Sequence, residues 1–189
     1  MLKLIDVSKN YSNKISSFKV LDSINFELQK GSFLSIFGPN GSGKTTLLNI
    51  IAGLVKQDSG KITYNNVSIS YAKISYVFQN YRETLFPWLK VIDNITMPLK
   101  LQGIGKLERD TYAENLVTKF HIQVDLKAYP YNLSGGQQQL VVLLRSLIIK
   151  PDLLLLDEPF SALDYQTTLF LYQKLLEIWQ DTKVTLILI

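Results

Sequence analysis

The sequence predicts an α/β fold with a central, mostly parallel sheet, an N-terminal antiparallel β layer and a small α-helical lobe. Three observations carry this expectation. The glycine-rich turn Gly38-Pro39-Asn40-Gly41-Ser42-Gly43-Lys44-Thr45 stands between a short apolar run at 32–37 and a helical run at 47–52 that Gly53 closes. Four successive leucines at 153–156, bounded by Pro151-Asp152 and Asp157, suit a strand buried on both faces of a parallel sheet. Strand-like and helix-like stretches alternate through the remainder, as they do where helices cover a sheet.

The elements follow in order. Residues 2–7 alternate apolar and polar side chains, and with residues 20–28 they open the antiparallel layer. Residues 61–64 and 67–69 extend that layer after the turn Gln57-Asp58-Ser59-Gly60. Residues 32–37 and 74–78 supply apolar strands on either side of the glycine-rich unit. From 91 to about 125 the pattern turns helical, with Leu107, Tyr112, Leu116 and Phe120 near a 3.6-residue period. Residues 135–149 read as a helix, 153–156 as a strand, 165–180 as a helix and 183–189 as a final strand. Nothing repeats internally. The chain therefore reads as one domain, 1–189, with a core at about 1–90 and 150–189 and the helical lobe at about 91–149.

Composition narrows the function classes. At 189 residues and 47% hydrophobic, the chain can bury a real core. Its 20 basic and 16 acidic side chains leave a net charge of +4, and no basic stripe with interleaved aromatics marks a nucleic-acid surface. The absence of cysteine excludes disulfides, zinc thiolate sites and thiol catalysis, and fits a reducing cytosol. No charged start followed by an apolar stretch marks a targeting segment. The greasiest stretch, 140–156, is broken by Arg145, Lys150, Pro151 and Asp152 and does not span a bilayer. Membrane attachment is expected only through a partner.

The glycine-rich turn has the form G-x4-G-K-T, a P-loop. Its glycines let the chain turn back so that successive backbone N–H groups point at a nucleotide's phosphates. Lys44 adds a mobile positive charge, and Thr45 offers a hydroxyl to Mg²⁺. The helix that starts there points the positive end of its dipole at the same anion. Asp157 and Glu158 follow the leucine strand at its carboxyl end, where open α/β sheets bind ligands. Asp157 is placed to reach the Mg²⁺ shell and Glu158 to address an attacking water. Ser134 suits a helix N-cap, and Gly135-Gly136 leave backbone N–H groups uncovered for a further anion.

Leu133-Ser134-Gly135-Gly136-Gln137, placed between the P-loop and the carboxylate pair, matches the signature of the nucleotide-binding subunits of ATP-binding cassette transporters. The whole chain resembles that family, and the resemblance implies a P-loop NTPase fold, ATP and Mg²⁺ as cofactors, and ATP hydrolysis. Tyr11 falls where the family stacks an aromatic ring on adenine. Gln79, after the strand at 74–78, matches the glutamine that touches Mg²⁺ and water and senses the transmembrane partner. Glu158, Gln79 and Lys44 are the implied catalytic residues, and Thr45, Gln79 and Asp157 the implied Mg²⁺ ligands. Gly38 to Thr46 cradle the phosphates, Thr46 included. Ser134, Gly135, Gly136 and Gln137 are implied to reach ATP held by a second copy, and Ser161-Ala162-Leu163-Asp164 to connect the two subunits, with Asp164 beside the nucleotide. One chain would then form half of each site.

The implied partners are a second nucleotide-binding subunit, a membrane permease and, indirectly, a substrate-binding protein, at the cytoplasmic face of the plasma membrane. Leu85-Phe86-Pro87-Trp88-Leu89-Lys90-Val91-Ile92-Asp93-Asn94-Ile95 is similar to the nitrate, sulfonate and taurine importer branch. There, Phe86 and Trp88 either fill the local core or, as the functional expectation, form a partly exposed patch that docks the permease.

Two departures bear on activity. In the family, a strand like 184–189 leads to a histidine that contacts the terminal phosphate, followed by further strands and helices. The given sequence stops short of these, and its only histidine, His121, lies in the helical lobe as a surface or packing residue. Leu140, Val142 and Leu144 also replace an arginine and smaller residues behind the signature, which predicts weaker coupling of closure to hydrolysis. Two readings follow: a working ATPase subunit, and a nucleotide-binding module that no longer turns over. Cassette proteins of translation or DNA repair fit less well, because they carry two cassettes or a long coiled-coil insertion.

Overall fold

The computed structural model describes residues 1–12 and 17–189 and contains two four-stranded sheets. The first is antiparallel, in the order β2 (Ser17–Leu28), β1 (Leu2–Ser12), β4 (Ser59–Tyr64), β5 (Val67–Ser68). The second is parallel, in the order β3 (Phe33–Ser35), β8 (Thr185–Leu188), β7 (Leu153–Leu156), β6 (Ile74–Val77). Six α-helices accompany them: α1 (Lys44–Ile51), α2 (Tyr81–Thr84), α3 (Val91–Leu101), α4 (Lys106–Lys119), α5 (Gly135–Leu147) and α6 (Tyr165–Thr182).

The leucine strand explains the layering. Side chains of successive strand residues point to opposite faces. Leu154 and Leu156 accordingly join a core with Val77, Leu144, Leu175 and Leu186, whereas Leu153 and Leu155 join a second core with Leu48, Ile51, Ile62 and Ile187. All four leucines are 0–1% exposed. Complete burial of each contributes roughly 1.5–3 kcal/mol, which fixes β7 in the middle of the molecule. Asp157 is thereby carried to the sheet's carboxyl edge beside the P-loop.

Several elements depart from the sequence reading at their ends. β1 runs on to Ser12, with register irregularities between Leu4 and Asn10. β8 begins only at Thr185, because Lys183 takes a left-handed conformation as the C-cap of α6. Residue 69, expected to end a strand, instead opens a short 3₁₀ turn at 69–71, and the brief α2 was not anticipated. The continuous helical stretch from 91 to 125 divides into α3 and α4. Of the residues on that period, Phe120 is buried and Leu116 partly so, but Leu107 is 85% exposed and Tyr112 is exposed. Within α4 itself only Ala113 is fully buried, because the helix lies on the outside of the lobe.

Candidate active site

The P-loop is shaped by contacts that only glycine permits. Gly43 has φ 92°, and a Cβ there would lie 2.9 Å from the Val20 carbonyl oxygen. The backbone turns tightly under β2 and enters α1, whose first turn has neither a side-chain cap nor an acidic residue. Its leading N–H groups therefore stay open to an anion. Lys44 folds back over its own loop, donating from Nζ to the carbonyls of Gly38 (2.9 Å) and Pro39 (3.1 Å). The ammonium is thus held over the loop's mouth by two neutral acceptors that a phosphate oxygen can displace.

Asp157 is the most enclosed charged group of the site, at 4% exposure. Its backbone N–H bonds to the Val77 carbonyl at 3.0 Å, which continues the β6–β7 ladder. Thr45 Oγ1 donates to Oδ1 at 3.2 Å, and the Tyr76 hydroxyl donates to Oδ2 at 2.9 Å. Burial first, then the neighbouring Asp157 charge and hydrogen bond, push the Tyr76 phenol well above its ordinary range, so it stays a donor. Glu158 follows with φ 42°, and its N–H bonds to the Ile189 carbonyl at 3.0 Å. Its carboxylate accepts from Gln79 Nε2 at 2.8 Å.

These groups open onto a cleft of about 620 Å³. It is lined by Tyr11, Phe18, Val20, Asn40, Gly41, Gly43, Lys44, Thr45, Thr46, Gln79 and Glu158. Tyr11, the P-loop, Gln79 and Glu158 are thereby brought together from positions far apart in the chain. Asp157 lies behind Thr45, and Gly38 and Pro39 act through their carbonyls. Phe18 and Val20 were missed by the sequence reading. Phe18 faces Tyr11 across the β1–β2 pair, with ring centroids 6.4 Å apart. The register that makes them neighbours is set by long-range pairing rather than by any local motif.

Ser134 to Gln137 lie elsewhere. Ser134 caps α5: its Oγ accepts the Gln137 N–H at 3.3 Å, and Gln137 Oε1 accepts the Ser134 N–H at 3.0 Å. A Cβ on Gly136 would lie 2.7 Å from Thr167 Cγ2, so the start of α5 packs closely against that of α6. Ser134, Gly136 and Gln137 line a separate concavity of about 640 Å³ with Gln123, Thr167, Phe170 and His121, which is indeed a surface residue. Asp164 lines neither space. It caps α6 by accepting the Thr167 N–H at 3.0 Å, and hydrogen bonding from Thr167, from its side chain first and then from its N–H, holds the carboxyl below the usual range. Within one chain, therefore, the P-loop and the signature do not meet.

Behind the signature, Leu140, Val142 and Leu144 are buried in the core. Arg145 reaches from α5 to the end of α2, donating to the Thr84 carbonyl at 2.6 Å and to Thr84 Oγ1 at 2.8 Å. Burial lowers its pKa from the ordinary guanidinium range. At the edge of the lobe, Asn94 is wholly buried and ties the Phe86–Lys90 turn together. The turn presents Trp88 71% exposed, its ring 5.7 Å from that of Phe86. Trp88 is a surface feature and not core filling.

A phosphate-cradling turn between a parallel strand and a helix, with acidic residues at the end of a neighbouring strand, defines a P-loop nucleotide-binding protein. The ABC transporter family model matches residues 21–161, and the chain belongs to that family. It is 42% identical over 186 residues to an uncharacterized ABC transporter ATP-binding protein of Methanocaldococcus jannaschii, covering 97% of this chain and 69% of that protein. It is 41% identical over 190 residues to the aliphatic sulfonates import ATP-binding protein SsuB of Bacillus cereus, covering 97% and 72%. A dimeric ATP-binding cassette solved in a post-hydrolysis state with ADP and Pi superposes with a TM-score of 0.84 at 31% identity, over 100% of this chain and 87% of that one. The chain is thus an ATP-binding cassette of ATPase type, with the α/β fold read from its sequence.

Proposed function

We propose that two copies of this chain sandwich two Mg-ATP and that their closing and reopening drive a membrane permease, in the direction of import. The carrying observation is the Gln79–Glu158 hydrogen bond of 2.8 Å, which sets a carboxylate in the same cleft as Lys44 and Thr45. Tyr11 and Phe18 offer aromatic faces to the adenine, and the N–H groups of the P-loop and of α1 take the phosphates. Thr45 and Asp157 pair a hydroxyl with a carboxylate at 3.2 Å, and Gln79 adds an amide oxygen, a hard-oxygen set that fits Mg²⁺. When bound, the ion neutralises charge on the phosphates.

The hydrolytic step requires a water placed against the terminal phosphorus. Glu158 accepts the water's proton as the P–O bond to the leaving ADP breaks, giving ADP and inorganic phosphate. Gln79 donates to Glu158 and so aims the carboxylate. Lys44 exchanges the carbonyls of Gly38 and Pro39 for phosphate oxygens, which directs its charge where negative charge accumulates. Ser134, Gly135, Gly136 and Gln137 bind the nucleotide of the opposite copy, which fits their separation from the P-loop within one chain. Asp164 steadies the segment joining the two copies through its cap on α6.

We read residues 1–189 as a single nucleotide-binding domain, with the lobe at about 91–149 carrying the signature and the Trp88 patch. Among the described residues no helix is long and apolar enough to cross a membrane. Attachment to the cytoplasmic face is assigned to Trp88 and Phe86 docking on the permease, and a substrate-binding protein chooses the cargo. The test is phosphate release by the chain in Mg-ATP, with nucleotide affinity measured alongside and Lys44→Ala as the blank. Turnover above the blank supports the proposal; Lys44-dependent binding without turnover replaces it with a binding module.

A further inference from the structure

Tyr76 belongs neither to the P-loop, nor to the signature, nor to the acidic pair, yet its hydroxyl reaches the most buried charge of the site. It sits on β6 directly opposite Leu155 of β7. Asp157 lies two residues beyond Leu155 and on the same face, so Tyr76 and Asp157 meet diagonally across neighbouring strands. The ring is partly buried and packs against the core that α1 joins, its centroid 4.3 Å from that of Phe78. The hydroxyl is thereby aimed by packing on a rigid strand.

The geometry around Asp157 makes the contact consequential. A carboxylate's terminal torsion is broad and two-fold, so one partner does not fix its plane. Here Thr45 holds Oδ1 at 3.2 Å and Tyr76 holds Oδ2 at 2.9 Å. We propose that Tyr76 is a positioning residue for the cation that accompanies ATP: it locks the Asp157 plane, turns Oδ1 toward the Thr45 side, and occupies Oδ2. Asp157 then presents one oxygen and not a chelating pair. That favours Mg²⁺, which keeps its waters and accepts few carboxylate contacts, over Ca²⁺, which takes bidentate carboxylates readily. The inference rests on the proposed Mg-ATP reading and deepens it.

The test uses the 189-residue chain and the Tyr76→Phe variant, which keeps the ring and removes only the donor. A fluorescent ATP analogue is titrated in EDTA, then at fixed nucleotide against Mg²⁺ and against Ca²⁺. The expected result is nucleotide affinity in EDTA within about twofold of the parent. The Mg²⁺ midpoint should rise about tenfold, the scale seen when a partner of a metal ligand is removed, and the preference for Mg²⁺ over Ca²⁺ should narrow. Phe78→Leu serves as a packing control, since it loosens the ring without removing the hydroxyl. An unchanged Mg²⁺ midpoint in Tyr76→Phe, or an equal rise in both variants, overturns the positioning role while leaving the nucleotide reading intact. Absence of Lys44-dependent binding in the parent chain instead overturns the proposed function, and this inference with it.

Discussion

Gln79 and Glu158 stand 79 residues apart in sequence and are joined by a 2.8 Å hydrogen bond from Nε2 to Oε2. The bond links the segment after β6 to the residue that ends the β7 edge, so the loop's position and the carboxylate's aim change together. Glu158→Gln removes the proton acceptor while preserving size. We expect ATP affinity within about threefold of the parent and turnover reduced by roughly 10²-fold or more, read by phosphate release.

Lys44→Ala removes the cation held over the P-loop mouth by the carbonyls of Gly38 and Pro39. A charge-assisted hydrogen bond contributes about 1.5–3 kcal/mol, so ATP affinity should fall by roughly 10- to 100-fold, as measured by titration calorimetry. Thermal stability should be nearly unchanged, because the two carbonyls remain exposed to water.

Gly136→Ala places a methyl 2.7 Å from Thr167 Cγ2, forcing α5 and α6 apart at the signature. A cost of about 1–3 kcal/mol in stability is expected. ATP-dependent dimerisation, followed by light scattering with Glu158→Gln as background, should weaken. Thr167→Ser in the same chain should restore part of both.

Asn94 and Trp88 should separate stability from docking. Asn94 Nδ2 donates to the Phe86, Leu89 and Lys90 carbonyls at 3.0, 3.1 and 3.2 Å, and Oδ1 accepts the Phe86 N–H at 2.8 Å. Asn94→Ala leaves these groups without partners and should cost about 1–3 kcal/mol or more in thermal unfolding. Trp88→Ala should leave melting and nucleotide affinity unchanged and reduce co-purification with a co-expressed permease. Equal loss of nucleotide affinity would contradict the docking role.

The end of β1 carries Tyr11 and is tied down by Asp58, whose carboxylate accepts from Lys9 Nζ at 2.8 Å and from the Asn10 N–H at 2.7 Å. The Lys9 hydrogen bond first, then the Asn10 N–H, hold the Asp58 carboxyl below its ordinary pKa. A depressed folded-state pKa means that this stabilisation is complete above the unfolded carboxyl value near 3.9 and is lost as pH falls through the lower folded value. Melting temperature followed from pH 6 downward should lose part of its acid dependence in Asp58→Asn. The variant should also show weaker nucleotide affinity at pH 7 through the loosened Tyr11.

The P-loop, the leucine strand with Asp157 and Glu158, and the signature were legible because each is a contiguous run whose residue types dictate local backbone geometry. The side on which α4 packs was not. Leu107 and Tyr112 share a helical period with Phe120 but stay exposed, since a period defines a face without saying whether anything covers it. Trp88 shows the converse: a large aromatic compatible with core filling is turned outward because Asn94 fixes the turn beneath it.

By itself the sequence determined which chemical groups the protein possesses and the local form of each: a loop that cradles phosphate, a lysine and a threonine at a helix start, two acids at a strand end, and a capped glycine pair. Short-range sterics and hydrogen bonds suffice for these. The tertiary structure decided which groups touch. Strand register placed Phe18 against Tyr11 and Tyr76 against Asp157, and the packing of α5 on α6 set the signature in a concavity apart from the P-loop. Such pairings depend on burying apolar faces drawn from the whole chain, with Leu153 to Leu156 shared between two cores, and no local run of residues encodes that sum.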